Sequence, residues 1–394
     1  MTPPATGETP AGGALRIHDK DVAFAPVRVE TDELLAAAEA GCTAVTVLAQ
    51  RVRELAGPPD ESLEDNLGLL VRCEPLLAGV ADDVRRITAD PDDRWVTWCE
   101  TGPGPGPRGI GATPLFAGEL LRDLWYGADL APVATSATLS VAGDFTHLIG
   151  ELGLDRRRPS VMTRRIASPF DYARQARFFA PQPETFPDPD QAGYADAVAD
   201  VLRELVTTLP RRALALFTSY RLLDEVAARL ESGLPFAGVP EYDRVELIAQ
   251  QSRGGAEELM RRLRRRRRAL LLGTATFWEG VDLPGEQLEL LVVTKLPFRV
   301  PSDPWVEARC AWLQAQGENP FTSFILRDAV VRLLQGVGRL VRSSEDRGVV
   351  VFLDTRLHAR EYGITFLDAL PGTCALFRDA RDLAARAGTF FSAG

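Results

Sequence analysis

Short apolar runs alternate with amphipathic stretches through the second half of the chain: "ALALF" (213–217), "ALLLG" (269–273), "LLVV" (290–293) and "GVVVFL" (348–353). A run of this length without a polar position has no face to turn to water. It reads as a strand buried on both sides of a parallel sheet. Between the runs, "YADAVADVLRELVTTLP", "RLLDEVAARLES" and "GAEELMRRLRRRRR" have the helical period, and "VELIAQ" reads as a further strand. Strands alternating with helices predict an α/β fold, a mostly parallel sheet with helices on both faces.

Ligands of such sheets sit beyond the carboxyl ends of the strands. Three loops are expected there: "FTS" (217–219), "GTATFWEGVDLPG" (273–285) and "ATSATLS" (134–140), the last ending a short strand "APVATSATLS". The stretch "LLQGVGRLVRSSEDRGVVVFLDTR" (333–356) adds a helix feeding a strand. At about 100° per residue, Gln335, Arg339 and Arg342 fall within about 60° of arc, opposite Val330, Leu333, Leu334, Val337, Leu340 and Val341. This predicts a helix packed on one side, with a glutamine and two guanidinium forks on the other. Gly336 and Gly338 each cost about 1 kcal/mol in a helix interior, so the backbone is expected to be approached closely there. The ordinary alternative is a solvated helix face.

Composition narrows the function classes. The 394 residues suffice for two or three domains, and the net charge of −10 gives no general attraction to polyanions, so any nucleic-acid binding needs a local basic channel. No apolar stretch reaches the length of a membrane span, and five cysteines without a CxxC pair fit a reducing cytoplasm. Lys20 and Lys295 are the only lysines, so lysine-dependent motifs can be checked one by one. The run "RRLRRRRR" (261–268) reads as a solvated helix face paired with acids such as Glu257 and Glu258, with phosphate binding as the alternative. Nearer the N-terminus, two amphipathic stretches separated by "PPDES" predict an antiparallel helical pair.

In their order, "TSATLS", "ALALFTSY", "GTATFWEGVDLPG", "KLPFRVPSDP" and "QGVGRLVRSSEDRGVVVFLDTR" resemble the C-terminal motifs of DinG-like DNA helicases, relatives of XPD in helicase superfamily two. The resemblance covers about Thr113 to Gly372. It implies a RecA-like second motor domain and ATP with magnesium as ligands. Arg339 would be the arginine reaching the γ-phosphate, with Arg342 beside it and Gln335 nearby. Glu279, Gly280 and Asp282 would couple the nucleotide cleft to DNA, and Ser136, Ala137 and Thr138 would be the first domain's coupling motif. Thr218, Ser219 and Thr276 would face single-stranded DNA.

The departures matter as much. A P-loop needs lysine followed by Ser or Thr, but Asp21 follows Lys20 and Leu296 follows Lys295. No Asp-Glu-Ala-His box is present either. The family's iron–sulfur cysteines lie between those two motifs, so no cluster is expected on this chain. The expected organisation is a disordered leader (1–30), an arch-like helical remnant (31–90), the end of a first motor domain (91–165), a second motor domain (166–380) and a tail (381–394). The chain is thus expected to be the arginine-bearing half of an ATP-dependent helicase, inactive alone, cytoplasmic, and needing an N-terminal half in trans. The alternative is a non-catalytic DNA- or partner-binding module of the same descent.

Overall fold

The apolar runs pair side by side. In the computed structural model, which describes residues 13–55, 61–88, 94–101, 108–122, 133–136, 138–140, 143–154, 161–233, 244–250, 255–274, 277 and 285–393, they form the interior of a parallel sheet. The chain divides into two units, residues 1–123 with 300–320, and residues 124–299 with 321–394.

In the first unit, β1 (Gly13–Ile17), β2 (Trp95–Thr101) and β3 (Gly109–Pro114) form an antiparallel sheet with β2 in the middle. Two long helices, α1 (Arg28–Leu55) and α2 (Glu61–Thr88), pack antiparallel. Arg85 pairs with Glu39 near one end, and Cys42 Sγ meets Glu74 O further along at 3.6 Å. Small residues permit this approach: a methyl group on Gly41 would stand 3.0 Å from Leu77. The segment after "KLPFR" contributes a helix, Pro304–Ala315, to this unit. Asp303 caps it by accepting from the Trp305 and Val306 amides, each at 3.0 Å. Trp305 Nε1 then donates to Pro114 O at 3.1 Å, and Arg309 stacks on Phe116 at 4.1 Å.

In the second unit, β4 (Ala176–Pro181), β5 (Arg212–Leu216), β6 (Glu246–Ala249), β7 (Ala269–Gly273), β8 (Leu290–Val293), β9 (Gly348–Phe352) and β10 (Cys374–Phe377) lie in the order β10-β4-β9-β8-β5-β7-β6. Every pairing is parallel. Helices α3 (Tyr194–Thr208), α4 (Tyr220–Gly233) and α7 (Ala380–Ser392) cover one face; α5 (Ala256–Arg265) and α6 (Leu326–Val337) cover the other. The pleat sorts each run between the two layers. Ala213, Ala215 and Phe217 enter one core, Leu214 and Leu216 the other.

Two expectations are corrected. The leader over 1–30, expected to be disordered, contains β1 and the start of α1. The tail over 381–394 is mostly α7, with Leu383, Ala384, Ala387 and Phe390 in the core. The strand expected in "APVATSATLS" is absent among its described residues. Val133 to Ser136 are exposed coil, with Val133 84% exposed; β-propensity does not hold a strand without ladder partners.

Candidate functional site

Helix α6 buries Ala329, Val330, Leu333 and Val337 and exposes Gln335, as its pattern predicts. It ends at Val337, however, and Gly338 is the residue that caps it. The Gly338 amide donates to Leu334 O at 2.8 Å, and a Cβ at Gly338 would stand 3.2 Å from that same oxygen. Glycine therefore lets the chain turn away tightly. The helical wheel stops applying at this point, so Arg339 and Arg342 do not share a stripe with Gln335.

The turn then dives into the core. Leu340 and Val341 are buried, and Leu340 occupies the space over Gly348, where a Cβ would meet Leu340 Cγ at 2.4 Å. Arg339, just before them, is only 8% exposed, whereas Arg342 is exposed. The expectation of an exposed Arg339 is thus corrected: the two flanking apolar residues draw the backbone inward. The buried Asp346 fixes the rest of the turn. It accepts from the Arg342 amide at 2.7 Å, the Ser343 amide at 3.0 Å and Ser343 Oγ at 2.6 Å. Gln175 Nε2 donates to Ser343 O at 2.7 Å and Asp346 O at 3.0 Å. Neither Asp346 nor Gln175 was singled out from sequence, although Ser-Ser-Glu-Asp after a helix is turn chemistry.

This turn lies at the amino end of the sheet. Gln175 immediately precedes Ala176, which pairs with Gly348 at the start of β9. Two other predicted residues leave from the opposite, carboxyl end. Thr218 and Ser219 follow β5, and Ser219 Oγ accepts from the Leu222 amide at 3.4 Å as α4 begins. Thr274 follows β7 and donates to Gln250 Oε1 from its amide (2.5 Å) and its hydroxyl (2.7 Å). So the structure does not gather the predicted residues at one edge. Ser136 and Thr138, in the exposed coil, contact each other at 3.2 Å. Ala137, Thr276, Glu279, Gly280 and Asp282 lie outside the described residues.

The carboxyl end also holds a polar cluster not foreseen. The fully buried Asp354 accepts from the Leu296 amide at 2.8 Å and binds Arg356 through two bonds, at 2.9 and 2.7 Å. Burial opposes the Arg356 charge, but the Asp354 bonds outweigh it and hold the guanidinium protonated. Tyr194 donates to Thr294 O, and burial followed by the nearby Asp354 carboxylate raises its phenol pKa. Lys295 Nζ reaches Asp190 at 3.3 Å. The arginine run on α5 is partly paired: Arg261 with Glu258, and Arg262 with Glu246 at 2.8 Å.

Residues 202–373 match the family described as Helicase C-terminal domain. The chain carries a helicase C-terminal domain. Over 286 residues it is 36% identical to the 3'-5' exonuclease DinG of Bacillus subtilis (strain 168), covering 72% of this chain and 30% of that protein. Over 262 residues it is 36% identical to the ATP-dependent DNA helicase YoaA of Escherichia coli (strain K12), covering 66% and 39%. The chain therefore spans about a third of the length of these relatives. A solved XPD structure in its apo form matches with a TM-score of 0.51 at 14% identity, over 81% of this chain and 59% of that one; this likeness concerns the fold alone. The matched helicase C-terminal domain includes Gln335, Arg339, Arg342, Thr218 and Ser219, while Ser136 and Thr138 precede it. Among the described residues, no helix is long and apolar enough to cross a membrane.

Proposed function

We propose that this chain is the C-terminal motor portion of an ATP-dependent DNA helicase of the DinG and XPD type. Arg339 is the arginine finger toward the γ-phosphate, with Arg342 beside it and Gln335 nearby. The observation that supports this most is the turn after α6, where the Arg339 amide donates to Gly336 O at 3.3 Å and Asp346 and Gln175 fix the segment that carries Arg342. A guanidinium held in place before the reaction stabilises the charge on a transferring phosphoryl group without reorganising. Glu279, Gly280 and Asp282 couple the cleft to DNA, and Ser136, Ala137 and Thr138 do so from the first motor domain. Thr218, Ser219 and Thr276 contact single-stranded DNA.

The phosphate cradle comes from a P-loop-bearing half, since neither lysine here stands in a P-loop. Among the described residues no three His, Cys, Asp or Glu side chains gather as metal ligands. The main magnesium-holding carboxylates are then supplied by the P-loop-bearing half. The chain alone hydrolyses no ATP.

DNA-stimulated ATPase activity, measured with and without a P-loop half, tests the reading. Arg339→Ala is expected to lower turnover of the combined halves by on the order of 10³–10⁵. Arg339→Lys keeps the charge but loses the fork, and recovers little. Because Arg339 is buried, melting temperatures must be compared alongside. Near-normal turnover in a folded Arg339→Ala protein would remove this residue from the role. Single-stranded DNA binding should be weak and salt-sensitive, with a log–log slope of about −0.7 per phosphate contacted. An affinity indifferent to salt would sink the DNA assignment.

A further inference from the structure

A cavity of about 1000 Å³ opens at the amino end of β4 and β10; Gln175 lines it, whereas Arg339 and Arg342 do not. Arg174, Arg177, Arg347 and Arg386 all line it. Two acids line it too, Asp171 and Glu345. Neither forms an ion pair with any of the four arginines among the described residues. Arg386 has Asp382 at 3.7 Å; among the described residues Arg174, Arg177 and Arg347 have no carboxylate within ion-pair distance. Four guanidinia against two carboxylates leave the lining with a net positive charge, which a bound anion relieves.

The ordinary account is that these arginines cap carbonyls. Arg177 donates to Ala173 O at 2.6 Å and Ala176 O at 2.8 Å, and Arg347 donates to Phe390 O at 2.7 Å. That account covers part of each fork. A guanidinium carries five N–H donors, Arg347 uses one on that carbonyl, and Arg174 caps nothing among the described residues. The forks of Arg177 and Arg347 are also held on the Phe390 ring, at 4.7 and 4.5 Å from its centroid. Stacking leaves the edges of a fork for in-plane recognition of a tetrahedral or planar anion. Phe390 itself is buried and stacked, so it is closed to a nucleobase. The chemistry selects phosphate groups rather than bases.

We propose that this cavity is a binding site for clustered phosphates, supplied either by a free polyphosphate or by the backbone of a nucleic-acid strand. Ser344 and Glu345 of its wall belong to the turn that Asp346 fixes, so an occupant touches the segment that also carries Arg342.

Calorimetric titration of the purified chain at low salt, with sodium tripolyphosphate and separately with an oligothymidylate strand, tests the site. At least one probe should bind. Arg174→Glu should weaken that binding about tenfold or more, and Arg174→Gln should weaken it in the same sense. Arg174 is exposed, so both variants should melt like the parent. Arg265→Glu, on the exposed side of α5 across the sheet, serves as the control and should change nothing. Arg174-sensitive binding of tripolyphosphate alone assigns free phosphates, and Arg174-sensitive binding of the strand alone assigns a polymer backbone. The proposal is overturned if neither probe binds, if the Arg174 variants bind like the parent, or if Arg265→Glu weakens binding equally.

Discussion

Asp346 decides more about the candidate site than either arginine that the pattern highlights. Its buried carboxylate satisfies two backbone amides and a hydroxyl of a partly exposed turn. Asp346→Ala leaves those donors without partners, at a cost of about 3 kcal/mol. The thermal midpoint should fall by roughly 6–12 °C, read by scanning calorimetry. A fall of only a degree or two would mean that water replaces the carboxylate and that the turn is not held by it. Gly348 shows the same dependence from the other side. Its value lies in the Leu340 side chain that occupies its Cβ position, a contact between residues that sequence spacing does not reveal.

At the scale of elements, the helix Pro304–Ala315 is the piece that the linear pattern passes over. It follows strand-like "LLVV" and a proline-rich turn, yet it joins the first unit rather than the parallel sheet. Its start depends on Asp303, which caps two amides. Asp303→Ala should cost about 1 kcal/mol, and the loss should be local. Hydrogen exchange should speed up in the first turn of this helix while β5, β7 and β8 keep their protection. Uniformly faster exchange across the parallel sheet would contradict that locality. Helix α6 gives the complementary lesson. Its buried stripe was legible from periodicity, but its end was not, because Gly336 and Gly338 both lie near the close of the pattern and only the Leu334 carbonyl contact shows which one caps.

Across the whole molecule, the buried Tyr194 and the half-buried Tyr362 give the parallel unit a pH limit. Burial first, and then the Asp354 charge, raises the Tyr194 pKa; burial also raises that of Tyr362. The folded chain therefore keeps these protons where an unfolded chain, titrating near 10, releases them. Their contribution is complete below about pH 10 and is lost as the pH rises through the folded values. Melting midpoints should fall more steeply above pH 10 in the parent than in Tyr194→Phe, and parallel slopes for the two would rule this out. Such a limit could not be read from the chain, because Tyr194 opens an ordinary amphipathic helix. What the sequence by itself determined is the parallel α/β architecture, since an unbroken apolar run can only be buried on both faces, and the motif order that matches the helicase C-terminal domain. What only the tertiary structure decided is where chemistry sits. Gln335, Arg339 and Arg342 lie at the opposite end of the sheet from Thr218 and Ser219, Arg339 goes inside, and Asp346, Gln175 and Asp354 become the supports. The reason is physical: periodicity reports which side of an element is buried, whereas a turn takes its shape from contacts between residues far apart in the chain, such as Gln175 with Ser343.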